Sequence, residues 1–301
     1  MEGEGDIRDL DLIRDHRRQW RHCRYVYPVI SRRSKGLSIG VNLNPDQACT
    51  LSCVYCQVRR TAHRGLPPVD LKVLETELRL AMEQAVSGRL WLDRRFAATP
   101  PGLRRINDIA FSGDGEPTCL ENFDQAVAVA AAVRQESHRP DIKLIVLTNS
   151  SLLDRPQVRR ALPVLQANNG EIWAKLDAGT EEYFRAVNRP AETLSLAGIV
   201  ANIAAVARLQ PVVIQTMLMR IGGRGPCGEE IAAYCARLEE ILAAGGKIKL
   251  VQLHTVARRP VSESVSALPD EQLDAVAAAV RSRLPAVPVE TYYGPSDQRT
   301  S

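Results

Sequence analysis

Cys49-Thr-Leu-Ser-Cys53-Val-Tyr-Cys56 places three thiols within one short stretch, spaced C-x3-C-x2-C, with an aromatic residue directly before the last cysteine. Structural zinc takes four protein ligands, usually as two close pairs set apart in the chain. Iron–sulfur clusters are held by closely grouped thiolates on a short loop. The spacing is therefore odd for zinc and well suited to a cluster. Three thiolates can hold three irons of a cubane, which leaves the fourth iron open to a small molecule.

The surroundings of this loop bound the rest of the reading. The chain has 301 residues, 45% of them hydrophobic and 25% charged, which fits one large α/β domain or two small ones. A net charge of +4 does not by itself imply nucleic-acid binding. The basic residues are uneven, however: Arg14, Arg17, Arg18, Arg21, Arg24, Arg32, Arg33 and Lys35 face only Asp15 in that stretch. Such a run is either a solvated face or a patch for RNA or another polyanion. No apolar stretch reaches the roughly 18–20 residues of a membrane span. Met1–Asp6 is acidic and lacks the apolar core of a secretory signal. Seven cysteines, three of them packed together, argue against a disulfide framework and for a reducing, cytoplasmic setting.

Apolar, β-branched runs alternate with amphipathic ones. Strands are predicted at Leu37–Leu43, Asp108–Phe111, Lys143–Leu147, Glu171–Leu176, Val212–Met217 and Ile248–Leu253. Helices are predicted at Leu71–Ala85, Asn122–Ser137, Gln157–Ala167, Leu194–Leu209, Gly228–Ala243 and Asp270–Leu284. Several strands are nearly continuous apolar segments, as in strands covered on both faces. Gly245-Gly246 is a helix stop before the last core strand. The alternation implies a parallel sheet with right-handed crossovers, full or closed into an open six-stranded barrel. Ser87–Arg105 breaks the rhythm and reads as an inserted loop, a candidate lid. We expect a basic N-terminal extension over 1–36, a core over 37–256, and a C-terminal helix and tail over 257–301 completing a single domain, its last residues disordered.

Chemistry in parallel α/β barrels collects where strands end. Polar groups recur at one end of every predicted strand here: Asn42 to Asp46, Ser112 to Thr118, Thr148 to Ser151, Lys175 and Asp177, Gln215 running on to Arg220, and Gln252 with His254, followed by Arg258 and Arg259. Packing alone does not ask for that pattern.

Cys49, Cys53, Tyr55 and Cys56 match the signature of the radical S-adenosylmethionine (radical SAM) superfamily. Gly113-Asp-Gly-Glu-Pro117 resembles its second motif, usually Gly-Gly-Glu-Pro, with Asp114 as a departure. The resemblance covers about residues 37–254. It implies a partial (β/α)6 TIM-like barrel of parallel strands, with a [4Fe-4S] cluster on Cys49, Cys53 and Cys56. S-adenosylmethionine would bind the open iron by its amino nitrogen and carboxylate. Reductive cleavage would then yield a 5'-deoxyadenosyl radical that takes hydrogen from a substrate. Tyr55 would pack near the adenine, and Glu116 would accept from the methionine ammonium. Gly113, Asp114 and Gly115 would let backbone approach the cofactor. Asn149, Ser150, Lys175, Asp177 and Gln215 are further cofactor candidates by position. Within the superfamily, Asn42-Leu-Asn-Pro and Gly-Glu-Pro-Thr look like the single-cluster oxidoreductase branch that includes wybutosine-pathway tRNA enzymes.

The catalytic residues beyond the cofactor are open. His254 is a candidate proton donor or a structural histidine. Cys119 is a candidate radical quencher or a buried thiol. Arg258 and Arg259 suit an anionic substrate or a solvated surface. Cys227 and Cys235 stand about 12 Å apart along a helix, too far to share one cluster, and Cys23 stands alone. A reductant such as flavodoxin or ferredoxin is the implied partner, and the substrate class is an anionic small molecule, a peptide or RNA. Two other classes compete: a non-catalytic iron–sulfur or zinc protein with His63 or His22 as fourth ligand, and an arginine-rich RNA scaffold.

Overall fold

The computed structural model describes residues 18–58, 68–258 and 260–294. Arg14, Arg17, His63, Arg259 and the polar tail lie outside them. The chain forms two compact units, one of Met1–Ala48, Ala62–Leu147 and Arg155–Glu171, the other of Cys49–Thr61, Thr148–Asp154 and Ile172–Ser301.

In the first unit, β1 (Val26–Ser31) runs antiparallel to β2 (Gly36–Val41), and β2, β3 (Ile106–Phe111) and β4 (Lys143–Thr148) follow in parallel. Every residue of β2 is buried, as expected of a strand covered on both faces; its one polar side chain, Ser38, donates to Asp108 of β3. The strand β1 is absent from the sequence reading. Pro28 lacks a backbone donor and argues against a central strand, yet an edge position tolerates it, and Pro28 sits opposite Ile39 on that edge. Glu77 fixes the start of β1, its carboxylate accepting from the backbone N–H groups of Arg24, Tyr25 and Val26. It comes from α1 (Leu71–Val86), whose N-cap Asp70 accepts from Lys72 and Val73. Helices α2 (Phe123–Glu136) and α3 (Pro156–Ala167) complete this unit.

The expected inserted loop is anchored rather than loose. It contains two short 3-10 turns, Arg89–Leu92 and Pro101–Leu103. Leu90 and Phe96 are buried, and Arg104 donates to the carbonyls of Thr99 and Ala97.

The second unit carries β5 (Gly170–Lys175), β6 (Val212–Ile221), β7 (Ile248–Thr255) and β9 (Val289–Tyr292) in parallel, with the short β8 (Val265–Ala267) antiparallel to the far end of β6. Its helices are α4 (Glu181–Asn188), α5 (Leu196–Leu209), α6 (Gly228–Ala243) and α7 (Asp270–Arg283). Gly245 ends the α6 region at φ +81, with its N–H on Leu242 and that of Gly246 on Ile241, the paired bonds of a glycine C-terminal cap. Among the described residues no helix is long and apolar enough to cross a membrane.

Candidate functional site

The cysteine loop is bedded on the end of α4. Ser52 N–H donates to the Asn188 carbonyl (3.1 Å), Val54 N–H to Val187 (2.9 Å), and Leu51 pairs antiparallel with Pro190. The loop closes on itself through Cys56 N–H to the Cys53 carbonyl (3.0 Å), and the Cys56 carbonyl takes the Val261 N–H (3.1 Å). Val54 packs into a small apolar cluster of Val187, Met219, Val256 and Val265, flanked by Tyr55 and Met217. Backbone bonds on one side and apolar packing beneath thus fix the loop's path in the free chain.

Each of the three cysteine sulfurs meets an N–H donor among the described residues. The Asn149 amide lies 3.5 Å from the Cys49 Sγ, the Asn188 amide 3.4 Å from the Cys53 Sγ, and the Val58 backbone N–H 3.4 Å from the Cys56 Sγ. None of the seven cysteines is in a disulfide. Burial pushes the Cys53 thiol up to about 12, the Asp177 carboxylate adding to it while bonds from Asn188 and Tyr55 oppose it. A ligand thiol must lose its proton to the metal, so Cys53 is protonated until a metal displaces that proton. Among the described residues no three His, Cys, Asp or Glu side chains stand together as a metal-holding group.

Asp177 organises the same region. One oxygen accepts from the Met217 backbone N–H (2.8 Å) and lies 3.2 Å from the Lys175 ammonium. The other accepts from the Tyr55 hydroxyl (2.5 Å) and the Asn188 amide (2.9 Å). The side chain is 1% exposed. Both oxygens are thus committed within the protein, and Asp177 works by holding Tyr55, Asn188, Lys175 and β6 in place. The Lys175 ammonium sits 4.9 Å from the centre of the Tyr55 ring. Burial raises the Tyr55 phenol well above its ordinary value, with Asp177 adding to the effect, so Tyr55 acts as a donor.

The loop that carries Asp177 is gripped in turn by Glu230 of α6, which accepts from Gly179 N–H (2.5 Å), Thr180 N–H (3.1 Å) and the Thr180 hydroxyl (2.5 Å). A Cβ on Gly179 would lie 2.0 Å from the Tyr234 nitrogen, so this close approach of backbone to helix requires glycine. Ser150 occupies a left-handed conformation (φ +69) and donates to the Lys175 carbonyl (3.1 Å). Asn149, beside it, also donates to the Thr50 hydroxyl (2.8 Å).

The first unit holds the second motif. Asn42 accepts through Oδ1 from the backbone N–H groups of Asn44 and Asp114 (3.1 Å each) and donates to the Asp114 carboxylate (2.6 Å). Arg18 pairs with the same carboxylate. A Cβ on Gly113 would lie 2.2 Å from the Asn42 Oδ1, and one on Gly115 1.9 Å from the carbonyl oxygen of Ala48, the residue preceding Cys49. Glu116 is buried, accepting through Oε1 from the Thr118 hydroxyl (2.6 Å) and N–H (3.2 Å), while its own N–H donates to Ala48 (2.9 Å). The Asp114 that departs from the usual motif is therefore an anchor between Asn42 and Arg18.

Other candidates find local partners. Gln215 and Gln252 are buried and bond to each other (2.9 Å). His254 is buried on β7, and Arg220 stands opposite Ser266 of β8. Cys119 ends a short turn begun by Pro117, half-buried. Cys227 is exposed and Cys235 buried, while burial beside Glu77 pushes the half-buried Cys23 thiol up to about 11. Within the described part of the basic run, Arg21 lies over Trp20 (4.8 Å) and Arg24 over Tyr25 (5.2 Å). Sequence reasoning missed Asn188 altogether, because the helix that carries it was not foreseen.

No family model matches the chain. A UPF0026 protein of Methanocaldococcus jannaschii is 30% identical over 178 residues, which are 59% of this chain and 48% of that protein. The chain spans between 32% and 57% of the length of the curated relatives it matches. A radical SAM methyltransferase from Sphaerobacter thermophilus superposes with a TM-score of 0.60 at 14% identity, covering 89% of this chain and 69% of that one. TYW1 with a lysine–pyruvate adduct bound superposes with a TM-score of 0.51 at 15% identity, covering 83% and 74%. These likenesses show the fold expected from the sequence, the TIM-like α/β fold of radical SAM enzymes.

Proposed function

We propose, from the radical SAM fold that this chain has and from its cysteine signature, that it is a radical SAM enzyme holding a [4Fe-4S] cluster on Cys49, Cys53 and Cys56. The observation that carries the reading is the cysteine loop, in which three thiols on a fixed backbone each meet an N–H donor. That donor set suits thiolates carrying the negative charge of a cluster, and a zinc tetrad would need a fourth protein ligand. When bound, the cluster and S-adenosylmethionine supply the reductive cleavage that generates a carbon radical.

The chain's own residues position and shield. Tyr55, held by Asp177 and covered by Lys175, gives a rigid aromatic surface beside Cys56. Gly113 and Gly115 keep the second-motif turn close to Asn42 and Ala48. In this reading the Glu116 carboxylate accepts from the methionine ammonium and a flavodoxin or ferredoxin delivers the electron. The substrate is an anionic small molecule, a peptide or RNA. An RNA substrate predicts binding that weakens steeply with salt.

The test uses protein purified and reconstituted without oxygen. Dithionite and S-adenosylmethionine are added, and 5'-deoxyadenosine is measured against the variant lacking all three cysteines. Product above that control supports the reading, whereas zinc bound without iron returns the loop to a structural role.

A further inference from the structure

We infer that Asn149 and Asn188 set the reduction potential of the cluster by donating amide hydrogen bonds to the sulfurs of Cys49 and Cys53, an inference that rests on the function just proposed. The contacts are 3.5 Å and 3.4 Å from amide nitrogen to sulfur. Which end of an amide faces a partner must be fixed by its hydrogen bonds, and both amides are fixed. The Asn149 Oδ1 accepts from the Ser151 backbone N–H (3.0 Å), a group that can only donate, and from the Ser151 hydroxyl (2.6 Å). The nitrogen is left facing Thr50 and Cys49. The Asn188 nitrogen donates to the Asp177 Oδ2 (2.9 Å), an oxygen that also accepts from the Tyr55 hydroxyl. The same nitrogen therefore presents its second hydrogen to Cys53.

A donor pointed at a ligand sulfur stabilises the negative charge added on one-electron reduction and so raises the potential. Such outer contacts tune a metal centre without touching it. The third sulfur, on Cys56, receives a backbone N–H, from Val58, so two of these three N–H donors can be removed by substitution. Both amides act through cysteine and are positioning residues.

The experiment is an EPR-monitored titration of the reconstituted chain with dithionite, with iron content measured in parallel. Asn149→Ala and Asn188→Ala should each shift the midpoint to more negative potential, and the double variant further than either. Asn202→Ala is the control. Asn202 donates to the Ser150 and Ser151 carbonyls (3.1 Å each), so its loss removes hydrogen bonds beside the same loop without removing a sulfur donor. Its midpoint should stay at the wild-type value. Should either single variant load iron poorly, the other alone decides the direction of the shift. Unmoved midpoints in clustered variants, or an equal shift in Asn202→Ala, would overturn the inference while leaving the proposed function standing. A wild-type chain that takes up no iron would remove the proposed function and this inference with it.

Discussion

Gly115→Ala tests how tightly the second motif is built. The added Cβ would lie 1.9 Å from the Ala48 carbonyl oxygen and 2.6 Å from the Asn44 Cβ. Heavy atoms in contact sit about 3.5 Å apart, so the turn and Ala48 must separate by about 1.5 Å. That movement breaks the Glu116 N–H bond to Ala48, 2.9 Å in the native chain. Overpacking of this kind costs about 1–3 kcal/mol, and the lost hydrogen bond about 1 kcal/mol. The sum, about 2–4 kcal/mol, corresponds to a drop in Tm of roughly 3–6 °C for a chain of 301 residues. Calorimetric melting of the apo chain reads it directly. Gly102→Ala is the reference, because a Cβ there meets nothing within 4 Å. Should Gly115→Ala melt with Gly102→Ala, the close approach is not present in solution and the reasoning about this turn is refuted. Because Ala48 precedes Cys49, iron loading should fall in Gly115→Ala as well.

Three further outcomes are expected. Cys53→Ala should abolish 5'-deoxyadenosine formation, and wild-type amounts from that variant would end the cluster assignment. Burial raises the carboxyl of Asp108 from 3.8 to about 6, opposed by hydrogen bonds from Ser34 and Ser38 and by the charges of Lys143 and Arg33. The folded chain then holds that proton more tightly than the unfolded chain, so stability falls as pH rises from 3.8 to about 6 and stays reduced above it. The loss is about 3 kcal/mol at 1.36 kcal/mol per pH unit; Asp108→Asn should melt higher than wild type at pH 7.5 and show a flatter profile between pH 4 and 6, and a lower Tm at pH 7.5 would contradict this. Glu230→Gln keeps one acceptor for three donors, costs about 1–3 kcal/mol, and should speed hydrogen exchange at the Gly179 and Thr180 amides, which unchanged protection would disprove.

Six strands and six helices were legible because each is a run with one dominant pattern: unbroken apolar residues at Leu144–Leu147 of β4, a 3.6-residue stripe in α1 or α6. The elements that escaped are short or carry contrary signals. Pro28 and the arginines around it disguise β1. The helix α4 has eight residues, half of them charged or amide, and follows Asp177-Ala-Gly, which reads as a turn. The site divides in the same way. Three clustered cysteines are a local signal and were read at once. Asp177 was visible only as a polar residue at a strand end. Its part in holding Tyr55 to Asn188 depends on residues 11 and 122 positions away in the chain, and no periodicity records that. Gln215 and Gln252 were each noticed at a strand end, but only the parallel register of β6 and β7, which sets one opposite the other, reveals them as a pair.

The short helix α4 is clamped at both tips. Its leading end is held through Gly179 and Thr180 by a carboxylate borrowed from α6, and its trailing residue, Asn188, reaches the Cys53 sulfur. Eight residues span only about 12 Å, and so short a rod has no slack to take up strain. Through those eight residues a helix remote in sequence from every cysteine of the loop, α6, is joined by one continuous run of hydrogen bonds and helical backbone to the sulfur of Cys53.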